Sequence, residues 1–452
     1  PMDHALGIQP VERPAIKNSQ VCGTCHTVHL PVMVGEEVIS YTYEQTTYPE
    51  WLFSAYRTGE TAQGKEIPFG AGDLAQSCQG CHMESQDADG HPYRSKIASI
   101  QELSSFPEAE YNLGPEDIDL EVREGFARHT LVGLNVFFVK MAQQFPDLLG
   151  LRTQDPMLVS KGLDPLLLTE QKMLDQASNT TATVTVGKAG VCDGKLEAKV
   201  TVESQVGHKF PSGVGFRRAF LEFEVLDALG NVLWASGRTD GAGRLVDASG
   251  EPLPGELWWQ DDCSGRIPGG PWYQPHYQVV TAQDQAQVYQ ELVTAPPDGA
   301  SSKCGHDAPP TGPLTTSFLS ICGHLKDNRI LPHGFLPFEK RAEIAQSIGA
   351  GKDLAEDTGA VGVGKDPDYV KGGQDSLTYS VGLGELGGQP ASVKATLYYQ
   401  AIPPYFLQDR FCTSQSDDTQ RLHFLSGHLN LEGTEAQSWK FLVTSSGQVA
   451  VE

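Results

Sequence analysis

The stretch VCGTCHTVHLPV, residues 21–32, carries two cysteines and two histidines within eight positions, and its core CGTCH (22–26) returns as CQGCH at residues 78–82. Both copies read C-x-x-C-H. Two thiols three positions apart reach the two vinyl groups on one edge of a porphyrin, and the adjoining histidine then falls beneath the iron as an axial ligand. The chain has only nine cysteines and 13 histidines, so two such pentapeptides point to two covalently attached c-type haems rather than to chance. A single zinc site built from the four thiols is the competing reading, but it asks for no histidine after either pair. A redox dithiol needs a βαβ setting, which neither copy has. Cys22, Cys25, Cys78 and Cys81 are therefore the expected tethers, and His26 and His82 the expected proximal ligands.

Each iron has a second axial position. Its candidates are His4, His29, His91, His129, His208 and the six methionines. His29 follows His26 by three residues, too close to reach the opposite face of the same iron, so it would serve the other haem and hold the two rings together. His129 falls in a stretch, residues 120–145, where apolar side chains recur at three- and four-residue steps; this spacing predicts a helix with His129 on its apolar face and Gly133 leaving room for a flat ring. His208, in VGHKFPSGVGFRRAF (206–220), reads either as a turn histidine or as a ligand reaching back to a haem at a domain boundary. His4 and His91 sit in polar surroundings and read as surface residues.

Away from these motifs the chain is 452 residues long, which implies more than one domain. Its net charge of −24 argues against nucleic acid and anionic membrane as partners. No apolar run approaches the ~20 residues of a membrane span. Haem is attached outside the cytoplasm, and the chain begins at Pro1 rather than Met, so we expect export to the periplasm or cell surface after removal of a leader.

At about residue 180 the pattern changes. ATVTVGK, KLEAKVTVES, RAFLEFEVLD, NVLWAS and SVKATLYYQ alternate apolar and polar side chains, the mark of half-buried strands. The expected fold class is α+β: an N-terminal loop and helix domain carrying both haem motifs (1–178), then an antiparallel β-sandwich domain with long inserts (179–452). LLLTEQKMLDQA (166–177) reads as a helix leading out of the first part. Residues 349–375, rich in glycine and aspartate, read as a solvated loop whose carboxylates offer an alternative site for calcium. KCGHDAP (303–309) and ICGHLKD (321–327) each carry Cys-Gly-His. A Cys304–Cys322 disulfide is the expected outcome, and a copper or zinc site from the four side chains the alternative. No G-x-S-x-G, P-loop or dinucleotide fingerprint occurs, so hydrolase and kinase readings lack residues.

Together CGTCHTVHLPV, YEQTTYPEWLFSAY (43–56), SCQGCHM and RHTLVGLNVFF resemble the N-terminal part of bacterial multihaem c-type cytochromes, and GHKFPSGVGFRRAFLEFEVLDALGNVLWASGR and ATLYYQAIPPYFLQDRF resemble their β domain. The resemblance implies proximal ligation by His26 and His82, and distal ligation by His29 in C-x-x-C-H-x-x-H and by His129 in H-x-x-x-G-x-N. It implies electron transfer through bis-histidine haems, with other cytochromes or redox proteins as partners. The alternatives are a dihaem peroxidase or oxidoreductase with one open iron, and a haem-bearing subunit of an extracellular filament, self-assembled or multi-subunit. The chain departs from many relatives in having two haem motifs rather than more.

Overall fold

The expected strands form, and their alternation explains why. In the computed structural model, which describes residues 11, 13–87, 89–94, 124–151, 164–297 and 304–452, Leu196, Ala198, Val200 and Val202 point inward while Lys195, Glu197 and Lys199 point out. The fold is mixed α+β. Near the N-terminus a short helix α1 (Gln20–Gly23) precedes the hairpin β1 (Val28–Val34) and β2 (Glu37–Gln45). Helices α2 (Thr47–Leu52), α3 (Cys78–His82), α4 (Val136–Gln144) and α5 (Pro165–Thr180) follow.

Two larger sheets hold most of the remainder. One orders its strands β3 (Ala182–Cys192), β4 (Lys195–Ser204), β10 (Gln374–Gly382) and β7 (Val279–Val280); only the last pair is parallel. The other runs β12 (Phe441–Ala450), β11 (Ser392–Gln400), β5 (Arg218–Leu226), β8 (Val288–Thr294) and β9 (Gly323–Asp327), with β6 (Val232–Ser236) also on β5. Val200 and Leu377 from the first sheet share one apolar core with Leu221, Ala395 and Leu397 from the second. Phe223 of β5 stacks on Tyr379 of β10 with ring centroids 3.9 Å apart.

The N-terminal segments pack into these cores. Val136, Phe137 and Met141 of α4 join the inter-sheet core. Tyr48, Trp51, Leu52 and Phe53 pack instead with Leu331, Phe335, Ile344 and Leu354, which lie on or beside helices α6 (Phe338–Ser347) and α7 (Asp353–Asp357). The short helix α8 (Asp368–Lys371) leads into β10, and α9 (Pro404–Thr413) and α10 (Asp417–His428) lie between β11 and β12.

Two expectations need correction. The helix expected over 120–145 begins only at Val136; residues 120–123 lie outside the described residues, and 124–135 are extended or turned. Backbone bonding explains this. Arg128 N–H donates to the Glu84 carbonyl (2.7 Å) and Leu131 N–H to that of His82 (3.0 Å), while Leu131 sits at φ +45°. Donors spent on a distant segment cannot close helical turns. The expected loop 349–375 instead contains α7 and α8, and it buries Leu354 and Ala355. The Cys304–Cys322 disulfide forms as expected, beside Cys263–Cys412. With both thiols so committed, a metal site using Cys304 and Cys322 is ruled out. Among the described residues no helix is long and apolar enough to cross a membrane.

Candidate functional site

The two C-x-x-C-H pentapeptides each wind into a single turn. Cys25 and His26 N–H donate to the Cys22 carbonyl at 3.1 and 2.9 Å. Gly23 is required here, since a Cβ at that position would lie 2.7 Å from the Tyr48 ring. In the second turn Ser77 Oγ accepts from Gly80 N–H at 3.1 Å and caps α3. The turns are tied to each other. Cys78 N–H donates to Ser19 Oγ (3.0 Å), and the Gln79 amide donates to the Ile16 and Asn18 carbonyls, both at 3.0 Å. Cys22 and Cys78 are hydrogen-bond neighbours.

The second motif meets the β region through an imidazole pair. The His82 and His208 rings lie nearly parallel, 14° apart, with centroids separated by 6.4 Å. His208 Nδ1 lies 2.9 Å from the Lys209 carbonyl, and the Val132 backbone stands against the His82 ring. A carbonyl only accepts, so His208 Nδ1 carries the hydrogen and the neutral ring keeps a lone pair on Nε2. Burial, with His208 and His26 adding repulsion, pushes His82 down to about 4, and burial lowers His208 as well.

Burial of its neighbours holds His208 in place. Gly207 lets the chain approach α2: a Cβ there would stand 3.0 Å from the Trp51 ring and 3.1 Å from Tyr56. Lys209 N–H donates to Glu50 Oε2 at 3.1 Å, and Lys209 Nζ donates to Asp327 Oδ2 at 2.6 Å. Arg329 grips the same carboxylate through Nε (2.8 Å) and Nη2 (2.7 Å). Burial alone would raise Asp327, but Arg329 and Lys209 outweigh it and hold the carboxyl well below the usual range.

The remaining histidines are placed differently. His26 is exposed, with Nδ1 3.2 Å from Gln45 Oε1. His29 is exposed on β1, its ring stacked on Tyr43 at 4.3 Å. His129 is exposed on the extended segment that runs beside the second motif. It therefore lacks the apolar helix face expected for it. His91 is exposed in a turn closed by Asp87, and His4 lies outside the described residues. The pairing of His208 with His82 bridges 126 positions, and the sequence offered His208 both as a turn histidine and as a ligand reaching back to a haem.

Within 349–375, Asp366 and Asp375 turn inward. Asp366 Oδ2 accepts from His276 Nε2 (2.8 Å) and Asp375 Oδ2 from Tyr289 (2.8 Å) and Gln287 (2.9 Å). The Gln287 and Asn328 amides face His276 Nδ1 at 3.0 and 3.3 Å, which puts the ring proton on Nε2, toward Asp366. His276, Asp366 and Asp375 each offer one ligand atom, and these atoms lie within 4.8 Å of one another, so the group could also hold a metal ion.

No family model matches the chain, and no curated protein matches it. Among solved structures it is similar to a penta-heme cytochrome c552 from Thermochromatium tepidum, with 14% identity and a TM-score of 0.28 over 82% of this chain and 55% of that one. The chain thus spans about half the length of that cytochrome. A likeness at this level carries no argument about fold or function.

Proposed function

We propose that the chain is an exported dihaem c-type cytochrome that transfers single electrons. The observation that carries this is the His82–His208 pair. An imidazole nitrogen binds a first-row metal at about 2 Å and lies about 1 Å from its ring centroid, so two imidazoles trans on one iron hold their centroids about 6 Å apart. The 6.4 Å separation fits, and the His208 ring has Nδ1 occupied by a backbone carbonyl and Nε2 left as a lone-pair donor. Cys78 and Cys81 would tether the haem, with His82 proximal and His208 distal. Cys22, Cys25 and His26 would hold a second haem beside it, with His29 or His129 as its proposed distal donor. Haem iron bound there would supply one-electron redox chemistry. The chain's own part would be to supply the His82 and His208 imidazoles and to fix the His208 ring through the Lys209 carbonyl.

We further read residues 1–178 as the haem-bearing part and 179–452 as a β-sandwich whose layers are the two large sheets. The partners would be other cytochromes or redox proteins in the periplasm or at the cell surface. The first motif favours a second reading. Among the described residues no imidazole faces His26 as His208 faces His82. An open sixth position there would make the protein an oxidoreductase of the dihaem peroxidase type.

Absorption and electron paramagnetic resonance spectra of haem-loaded protein test the principal reading. His208→Ala should convert about half of the haem from low-spin to high-spin, with new carbon monoxide binding by that half when reduced. His208→Met should keep that iron six-coordinate at a higher potential. An H208A protein that stays fully low-spin refutes the assignment. Wild-type protein that already binds carbon monoxide at one iron supports the peroxidase reading.

A further inference from the structure

The two Cys-Gly-His tripeptides, 304–306 and 322–324, are drawn together by the Cys304–Cys322 disulfide, which brings their histidine rings close to each other. The His306 and His324 ring centroids are 5.8 Å apart at an interplanar angle of 37°. Among the described residues, Nε2 of each is buried and has no hydrogen-bond partner. The His324 side chain is only 2% exposed. Both Nε2 atoms point at the turn that follows α7. His324 Nε2 lies 4.0 Å from Asp357 Oδ1. His306 Nε2 would lie 3.2 Å from a Cβ at Gly359, so glycine there leaves that nitrogen uncrowded. On the far side of each ring Nδ1 meets a carboxylate: Glu291 Oε1 at 3.1 Å from His324, and Asp307 Oδ1 at 3.4 Å from His306.

We propose that His306, His324 and Asp357 form a binding site for a divalent transition-metal ion of the zinc class. Two imidazoles and one carboxylate suit a borderline ion such as zinc or copper, and leave a fourth position for water. Two imidazoles on one tetrahedral ion hold their centroids about 5 Å apart, so a small side-chain rotation closes the observed 5.8 Å. The carboxylates behind Nδ1 are the partners that orient metal-bound histidines and leave Nε2 to the ion. A buried nitrogen with no partner is costly unless something binds it. Cys304 and Cys322 take no part in ligation; their disulfide presents the two imidazoles. The site would also brace the hairpin near the first haem motif, because Tyr43 N–H donates to Asp357 Oδ2 at 3.2 Å.

The proposal does not depend on the haem reading, and its test uses the full haem-loaded chain. Elemental analysis should find one non-iron transition metal per chain. If chelation empties the site, titration with zinc alone should restore one equivalent by calorimetry. His306→Ala and Asp357→Asn should each weaken zinc binding by more than about 100-fold, beyond the roughly 10–100-fold that loss of an orienting partner costs. Replacing the exposed His428 by alanine should leave zinc binding unchanged. Far-ultraviolet circular dichroism checks that the variants fold. His306 is partly exposed and its Nε2 makes no hydrogen bond, so H306A removes little else. A metal-free chain that takes up no zinc overturns the proposal, as does calcium as the sole bound ion or full zinc affinity in H306A.

Discussion

Asp327→Asn should destabilise the protein more than any surface carboxylate change and should loosen His208. Asp327 is 1% exposed and is the shared counter-ion of Lys209, also 1% exposed, and Arg329, 4% exposed. Its oxygens accept from Lys209 Nζ at 2.6 Å and from two Arg329 nitrogens at 2.7 and 2.8 Å. Asparagine keeps the shape and one acceptor but removes the charge. Arg329 then keeps the more distant Glu50 and Glu291, at 3.5 and 3.3 Å, while Lys209 Nζ keeps the Gly359 carbonyl at 3.1 Å. Breaking such a pair from one side costs about 3–5 kcal/mol. At a slope of about 4 kcal/mol per molar guanidinium, the unfolding midpoint falls by about 1 M. Circular dichroism in guanidinium measures this, with the exposed Asp418→Asn as control. The sign with pH follows from the depressed carboxyl. Its stabilisation is complete above the unfolded value of about 3.9 and is lost as pH falls through the much lower folded value, so the variant and the wild type should converge in strong acid. Lys209 adjoins His208, so under the proposed haem ligation the variant's spectrum should show added high-spin character. A midpoint within about 0.2 M of the D418N control would refute the reasoning.

Three further outcomes are expected. Gly207→Val forces a side chain against Trp51 and Tyr56; it should cost about 1–3 kcal/mol in thermal unfolding and raise the high-spin fraction, whereas a silent variant would mean that α2 does not set His208. Replacing Cys263 and Cys412 by serine opens a link across 149 residues and should lower stability by about 2–5 kcal/mol in chemical denaturation. Burial, with Arg218 adding repulsion, pushes Lys326 down to about 7; the unfolded chain then binds more protons between pH 7 and about 10, so stability rises with pH there by up to about 1.4 kcal/mol per unit, and Lys326→Met should flatten that slope in a pH series of melts.

The strands of the β region were legible because alternation is a local property. In β4 the side chains at 196, 198, 200 and 202 declare one buried face without reference to any neighbour. Helix α5 was legible for the same reason, with Asp164 capping it through Leu166 and Leu167 N–H. The helix expected through His129 failed because its apolar spacing was local while its hydrogen bonds were not: residues 128 and 131 donate to 84 and 82. The hairpin β1–β2 escaped notice because its strands are half exposed and Pro31 interrupts the first.

By itself the sequence determined the two C-x-x-C-H pentapeptides, whose pattern lies within five residues, and it determined the faces of the long strands. Only the tertiary structure decided which histidine faces His82, how Lys209 and Asp327 hold it there, and that His306 and His324 point both bare nitrogens at one turn. The physical reason is range. Tethering and alternation are short-range and leave a pattern, whereas ligand pairs and buried charges form wherever packing brings distant segments within about 3–6 Å, and single histidines carry no mark of that in the chain.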